Sequence, residues 1–254
     1  MCLISLSVMA FSVVAAPIEA PRPGVVFVVG GIGGLEVFGL NARWVLPASG
    51  VAHEVRDFEW THGSLRFLRD LQDTRHLLAR AAELARQVNE IKEKDPRRPI
   101  FLVGHSAGAG LVLAAAEILP PATLERIILL SPAVSPTFDL RPALRATRGE
   151  IVSFCSAHDR IVLDLGTTLF GTVDRSYGPS AGQAGFRAPA DLDDAGRKLY
   201  RRVVQVPWRW ENLLEGRGCG HTSTTAPLFL HRYVAPWLRG EASVAEADPN
   251  ARRN

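Results

Sequence analysis

The sequence predicts an α/β protein with a mostly parallel central sheet and helices on both faces. Three observations predict it. Apolar strand-like runs alternate with helical patterns from residue 25 to 238, the pattern of strands linked by crossover helices. The 254 residues are 47% hydrophobic and 22% charged, enough to bury one large core. Residues 100–113, IFLVGHSAGAGLVL, then read as a buried strand, a small-residue turn and a helix, with one serine at the apex.

The elements follow in order. Val25–Val29 is a β-branched strand that runs into Gly30-Gly31-Ile32-Gly33-Gly34. A helix is predicted over Leu35–Leu46, stopped by Pro47, and a strand over Val51–Phe58. One long amphipathic helix is predicted from Phe67 to Lys94, with Leu71, Leu77, Leu78, Leu84, Val88 and Ile91 on its stripe and Asp95-Pro96 as its stop. Residues 99–104 form the next strand and 106–119 its helix. A strand over Arg126–Leu130, a short helix over Leu140–Arg145 and a strand over Glu150–Cys155 come next. Val203–Pro207 is the last strand and Ala226–Leu238 the last helix. Between them, residues 164–199 carry Gly166, Gly171, Gly178, Gly182 and Gly185, and read as a short flap over an open site.

The folded domain is expected over residues 21–239. Residues 240–254 form a polar tail of the kind expected to be disordered. Residues 3–16 are apolar and end before Pro17, but no Lys or Arg precedes them. Residues 1–20 therefore read as a signal peptide or an apolar tail, and export and a cytoplasmic location both stay open. No other segment approaches transmembrane length. The net charge of +3 is mild and its arginines are spread along the chain, so nucleic acid is not an expected partner. Cys2, Cys155 and Cys219 give no metal spacing; Cys155 and Cys219 could pair only in an exported protein.

Gly104-His105-Ser106-Ala107-Gly108 fits G-x-S-x-G, in which the serine is held on a strained turn between strand and helix. A side chain at either glycine would crowd the adjoining strand or helix. The strain exposes the Ser106 hydroxyl and puts the Ala107 N–H at a helix N-terminus, where it can hold a developing oxyanion. A serine hydroxyl needs a base within reach and a third group that orients the base. Asp159 follows the strand at 150–155, and His221 sits in the loop Gly216-Arg217-Gly218-Cys219-Gly220 ahead of the last helix. Asp164 competes with Asp159. All would gather at the carboxyl ends of strands, where sites of open α/β sheets lie.

On these motifs residues 25–238 resemble the α/β-hydrolase superfamily, in its serine esterase and lysophospholipase-like branch. The resemblance implies Ser106 as nucleophile, Asp159 as acid and His221 as base. The turn Gly30–Gly34 stands where relatives have an H-G-x-x-G-like turn that supplies a second oxyanion N–H. Gly30 replaces its histidine, and the donor is Ile32 or Gly31. The implied activity is hydrolysis of carboxylic esters through an acyl-enzyme, on a small-molecule or lipid-like ester and with no cofactor. A non-catalytic binding or scaffold protein of the same fold, and an acyltransferase using the same triad, are the alternatives.

Other candidates have weaker footing. Trp60 and His62 follow the second strand and could line the substrate pocket. His105 lies within the elbow, pointing away from the hydroxyl, and is expected to pack. His158 reads as structural or pocket-lining, His53 and His76 as surface or core histidines, and His231 falls inside the last helix. A dinucleotide site would pair the glycine turn with Asp57, but Glu36 stands where G-x-G-x-x-G needs glycine, and its carboxylate would repel a pyrophosphate.

Overall fold

The computed structural model describes residues 22–34, 37–156, 178–208 and 221–242, with the backbone alone at residue 221. Six strands, β1 (Val25–Val29), β2 (Glu54–Asp57), β3 (Ile100–His105), β4 (Arg126–Leu130), β5 (Ile151–Cys155) and β6 (Val203–Pro207), form one sheet in the order β2-β1-β3-β4-β5-β6. Every neighbouring pair is parallel. β1, β3 and β5 are buried at every residue, as parallel strands covered on both faces must be. Side chains alternate between two cores. Val25, Phe27 and Val29 join one, with Leu84, Val88 and Leu111. Val26 and Val28 join the other, with Phe38, Phe229 and Leu238.

The first core is roofed by α3 (Thr74–Lys94), α4 (Ala107–Glu117) and α5 (Arg141–Ala146), and the second by α1 (Val37–Ala48) and the C-terminal helix. α4, AGAGLVLAAAE, is apolar almost all round because it is wedged between α3, α5 and the sheet. β2 is the exposed edge, shorter than expected. Its Glu54 carboxylate pairs with Arg56 and Arg98, and charge of this kind blunts an open edge.

The long helix expected over 67–94 is two helices. α2 (Phe67–Gln72) ends at Asp73, whose side chain accepts the His76 N–H and caps α3. The C-terminal helix runs as α6 (Pro227–Phe229), a wide turn over Leu230–Val234 and α7 (Ala235–Arg239). Pro236 has no N–H for the carbonyl four residues back, which accounts for the widening. Of the expected flap, residues 164–177 lie outside the described residues. Residues 178–199 are tied into the fold: Ala181 and Gly182 donate to the Val134 and Pro132 carbonyls, and Ser156 donates to the Gly182 carbonyl. Among the described residues no helix is long and apolar enough to cross a membrane. Cys155 is buried at the end of β5, and Cys219 lies outside the described residues.

His53 ties the start of β1 to the last helix. Its Nδ1 accepts the Gly24 N–H at 2.9 Å, so the neutral ring carries its proton on Nε2, 3.0 Å from the Leu238 carbonyl. The ring also stacks on Phe101. Burial pushes the His53 pKa below its ordinary 6.5, while the Leu238 carbonyl and Glu125 pull more weakly the other way. A lowered folded pKa means the unfolded chain binds the proton more tightly. The contribution of His53 is therefore complete above about pH 6.5 and lost as pH falls from there toward the lower folded value. Urea midpoints between pH 8 and 5 should fall more steeply for the wild type than for His53→Gln. Parallel curves would remove His53 as the cause.

Candidate active site

β3 ends at His105 and α4 starts at Ala107, so Ser106 alone turns the chain, at φ 55° and ψ −123°. A residue with a Cβ is strained there by about 1–3 kcal/mol. Backbone bonds hold it. The Ser106 N–H donates to the Leu130 carbonyl at 2.9 Å, and the Ser106 carbonyl accepts from Ala109 and Ala133, each at 3.1 Å. The end of β4 thus braces the turn from beside it.

The two motif glycines are places of close approach. A Cβ on Gly104 would lie 2.7 Å from Ala109 Cα and 2.8 Å from the Gly108 carbonyl oxygen. A Cβ on Gly108 would lie 2.5 Å from the Val29 carbonyl oxygen and overlap that of Gly30. This packing lays the loop after β1 against the serine. A Cβ on Gly31 would sit 3.3 Å from Ser106 Cβ and 3.7 Å from its Oγ. A Cβ on Gly30 would meet nothing within 4 Å, so the position does not require glycine for space at Cβ.

Ser106 is 8% exposed. The Ala107 N–H lies at the N-terminus of an eleven-residue helix, where the aligned peptide dipoles favour negative charge. The Gly33 N–H is already engaged, donating to Asp70 Oδ2 at 2.8 Å. Gly31 and Ile32 remain as sources of a second oxyanion donor, and the Ile32 side chain packs on the core. Glycine pairs β1 with β3 at this point: Val29 and Gly104 are in register. It is also where strand order reverses, the position at which open α/β sheets form their clefts.

Asp159, the competing Asp164 and His158 lie outside the described residues. His221 opens a 3₁₀ turn, His221–Thr225, ahead of α6, with its backbone alone described. Ser106 and the glycine loop are therefore the parts of the expected constellation that the structure brings together.

Trp60, expected along the pocket with His62, lines a small cavity with Gly30, Gly31 and Phe38. Trp60 is 2% exposed and its indole N–H donates to the Gly30 carbonyl at 2.9 Å. His62 donates both its backbone N–H and its Nδ1–H to Asp70 Oδ1, each at 2.8 Å. His105 packs edge-on to Phe38. His76 donates Nε2–H to the Trp60 carbonyl at 2.6 Å, and its ring lies 4.0 Å from that of His62. His231 pairs with the Ser49 hydroxyl.

Asp70 is the residue that sequence reasoning missed. It stands seven positions before Leu77, in register with the buried stripe of α3. A carboxylate on an apolar register is the signal that could have found it.

Sequence comparison with curated proteins finds no match. The serine aminopeptidase S33 family model matches residues 72–159, a stretch that includes Ser106 and Asp159. Among solved structures, the chain resembles TT1662 from Thermus thermophilus, at 18% identity and TM-score 0.50, over 89% of this chain and 92% of that one. It also resembles the poly(3-hydroxybutyrate) depolymerase LpqC from Bordetella parapertussis, at 16% identity and TM-score 0.50, over 91% and 85%. A protein of the alpha/beta superfamily from Xanthomonas campestris pv. campestris aligns at 19% identity and TM-score 0.49, over 85% and 99%. At these identities the likeness is one of fold.

Proposed function

We propose that this chain, an α/β-hydrolase by fold, is a serine hydrolase that cleaves carboxylic esters through an acyl-enzyme. One observation carries the reading: Ser106, held at φ 55° at a strand–helix junction, with the Gly30–Gly34 loop packed against it. A fold keeps such strain where a group must project into a cleft. In this reading His221, oriented by Asp159, takes the Ser106 proton as Oγ attacks the ester carbonyl. The Ala107 and Ile32 N–H groups hold the oxyanion. The carbonyl re-forms as the C–O bond breaks, and His221 passes its proton to the leaving alcohol. Water, deprotonated by the same histidine, then attacks the acyl-enzyme, and the proton returns to Ser106 as the acid leaves.

A fluorophosphonate probe tests it directly. Wild-type protein should label at one serine, and Ser106→Ala should not label. Folded wild-type protein that stays unlabelled would favour the binding or scaffold alternative. The S33 match supports a second reading, in which the scissile bond is an amide. The same groups would act, with His221 protonating an amine instead of an alcohol. Turnover of aminoacyl p-nitroanilides well above that of p-nitrophenyl esters would select it.

A further inference from the structure

The Gly30–Gly34 loop has soft backbone. Gly33 and Gly34 sit at φ +90° and +59°, and glycine leaves several peptide orientations close in energy. Three hydrogen bonds from the segment between β2 and α3 restrain it. Trp60 donates to the Gly30 carbonyl, Leu65 N–H donates to the Gly33 carbonyl at 2.8 Å, and Gly33 N–H donates to Asp70. The first two use neutral groups. The third uses a carboxylate that is 3% exposed and 37 residues away in sequence.

Burying that charge is costly unless both of its oxygens find donors. Asp70 meets the requirement with Gly33 N–H and with the backbone N–H and Nδ1–H of His62. His62 is itself held. Its Nε2 lies 3.4 Å from Asp73 Oδ2, and its ring lies against His76. Asp70 does not cap a helix, since Asp73 performs that task for α3. Its acceptor capacity goes to the glycine loop and to the histidine beside it. A charged acceptor grips an N–H roughly twice as strongly as a neutral one, which is the strength needed to stop a glycine peptide from turning.

We propose that Asp70 is a positioning residue for the oxyanion hole. By holding the Gly33 N–H it fixes the Ile32–Gly33 peptide, and through it the aim of the adjoining Ile32 N–H at the oxyanion above Ser106. The proposal rests on the serine-hydrolase reading. His62 and Asp73 complete the brace, and Trp60 anchors the other end of the loop.

The test compares wild type, Asp70→Ala and Asp70→Asn in p-nitrophenyl butyrate turnover and in inhibition by phenylboronic acid, whose tetrahedral serine adduct mimics the transition state. Asp70→Ala should lower kcat about 100-fold, the scale of one lost oxyanion donor, with KM changed by less than about 3-fold. Boronate affinity should weaken in the same proportion as kcat. Asp70→Asn keeps one oxygen for Gly33 but turns an amide on His62, and should lose about 10-fold in both. Either variant matching wild type in kcat and boronate affinity overturns the proposal. So does a loss confined to KM, or a loss of kcat with boronate affinity intact. If Asp70→Ala fails to fold, the paired loss in Asp70→Asn decides the question alone. Wild-type protein that neither turns over the ester nor binds the boronate fails the serine-hydrolase reading itself, a result distinct from an unimportant Asp70.

Discussion

Replacing Ser106 with alanine should lower ester turnover by roughly four to six orders of magnitude while leaving the fold intact. Replacing it with glycine should lower turnover equally and raise stability. The two variants separate chemistry from conformation. Both lose the hydroxyl. Alanine keeps a Cβ in the left-handed region at φ 55°, so it inherits the strain. Glycine relieves about 1–3 kcal/mol of strain and returns about 0.5–1 kcal/mol through the freer unfolded chain. The net gain is about 1 kcal/mol, and for a domain of this size the melting temperature should rise by about 2–4 °C. A Ser106→Gly protein no more stable than Ser106→Ala would mean that the turn is relaxed as it stands. Activity surviving either substitution would move the nucleophile elsewhere.

Gly108→Ala should be strongly disruptive, because the added methyl meets fixed backbone. Its Cβ would lie 2.5 Å from the Val29 carbonyl oxygen and overlap the Gly30 carbonyl. Both are backbone atoms at the end of β1 and cannot rotate aside. Overpacking of this kind costs about 1–3 kcal/mol or more. Any relief would push the Gly30–Gly34 loop off Ser106, so activity should fall about 100-fold as well, as if an oxyanion donor had been lost. Gly30→Ala is the control, because its Cβ meets nothing within 4 Å. Its stability should stay within about 0.5 kcal/mol of wild type. Urea denaturation of both variants checks the contrast, and equal midpoints would remove the steric account of Gly108.

The strand–turn–helix at 100–117 was legible because its signals are local. A β-branched run, two glycines around a serine and an alanine-rich helix all lie within one short stretch. β1, β4 and β6 were legible to the residue, since their apolar runs have sharp polar or glycine borders. The break at Asp73 was hidden because the apolar stripe continues across it, from Leu71 to Leu77. The cap that ends one helix and starts the next is a single side-chain bond to His76, and periodicity does not register it.

Sequence by itself determined the α/β class, the position of the strained serine and the need for glycine on either side of it. Those depend on patterning and on the sterics of neighbours a few residues apart. Tertiary structure alone decided what faces the serine and what restrains it. Sequence does not show that Trp60 and His62 give their polar atoms to Gly30 and Asp70. Asp70 stands on the apolar register in sequence, but only the packed chain shows that it is buried around an N–H 37 residues away. The reason is physical. A backbone turn is specified by the residues that form it, whereas a buried charge is satisfied by whichever donors the packed chain brings to it.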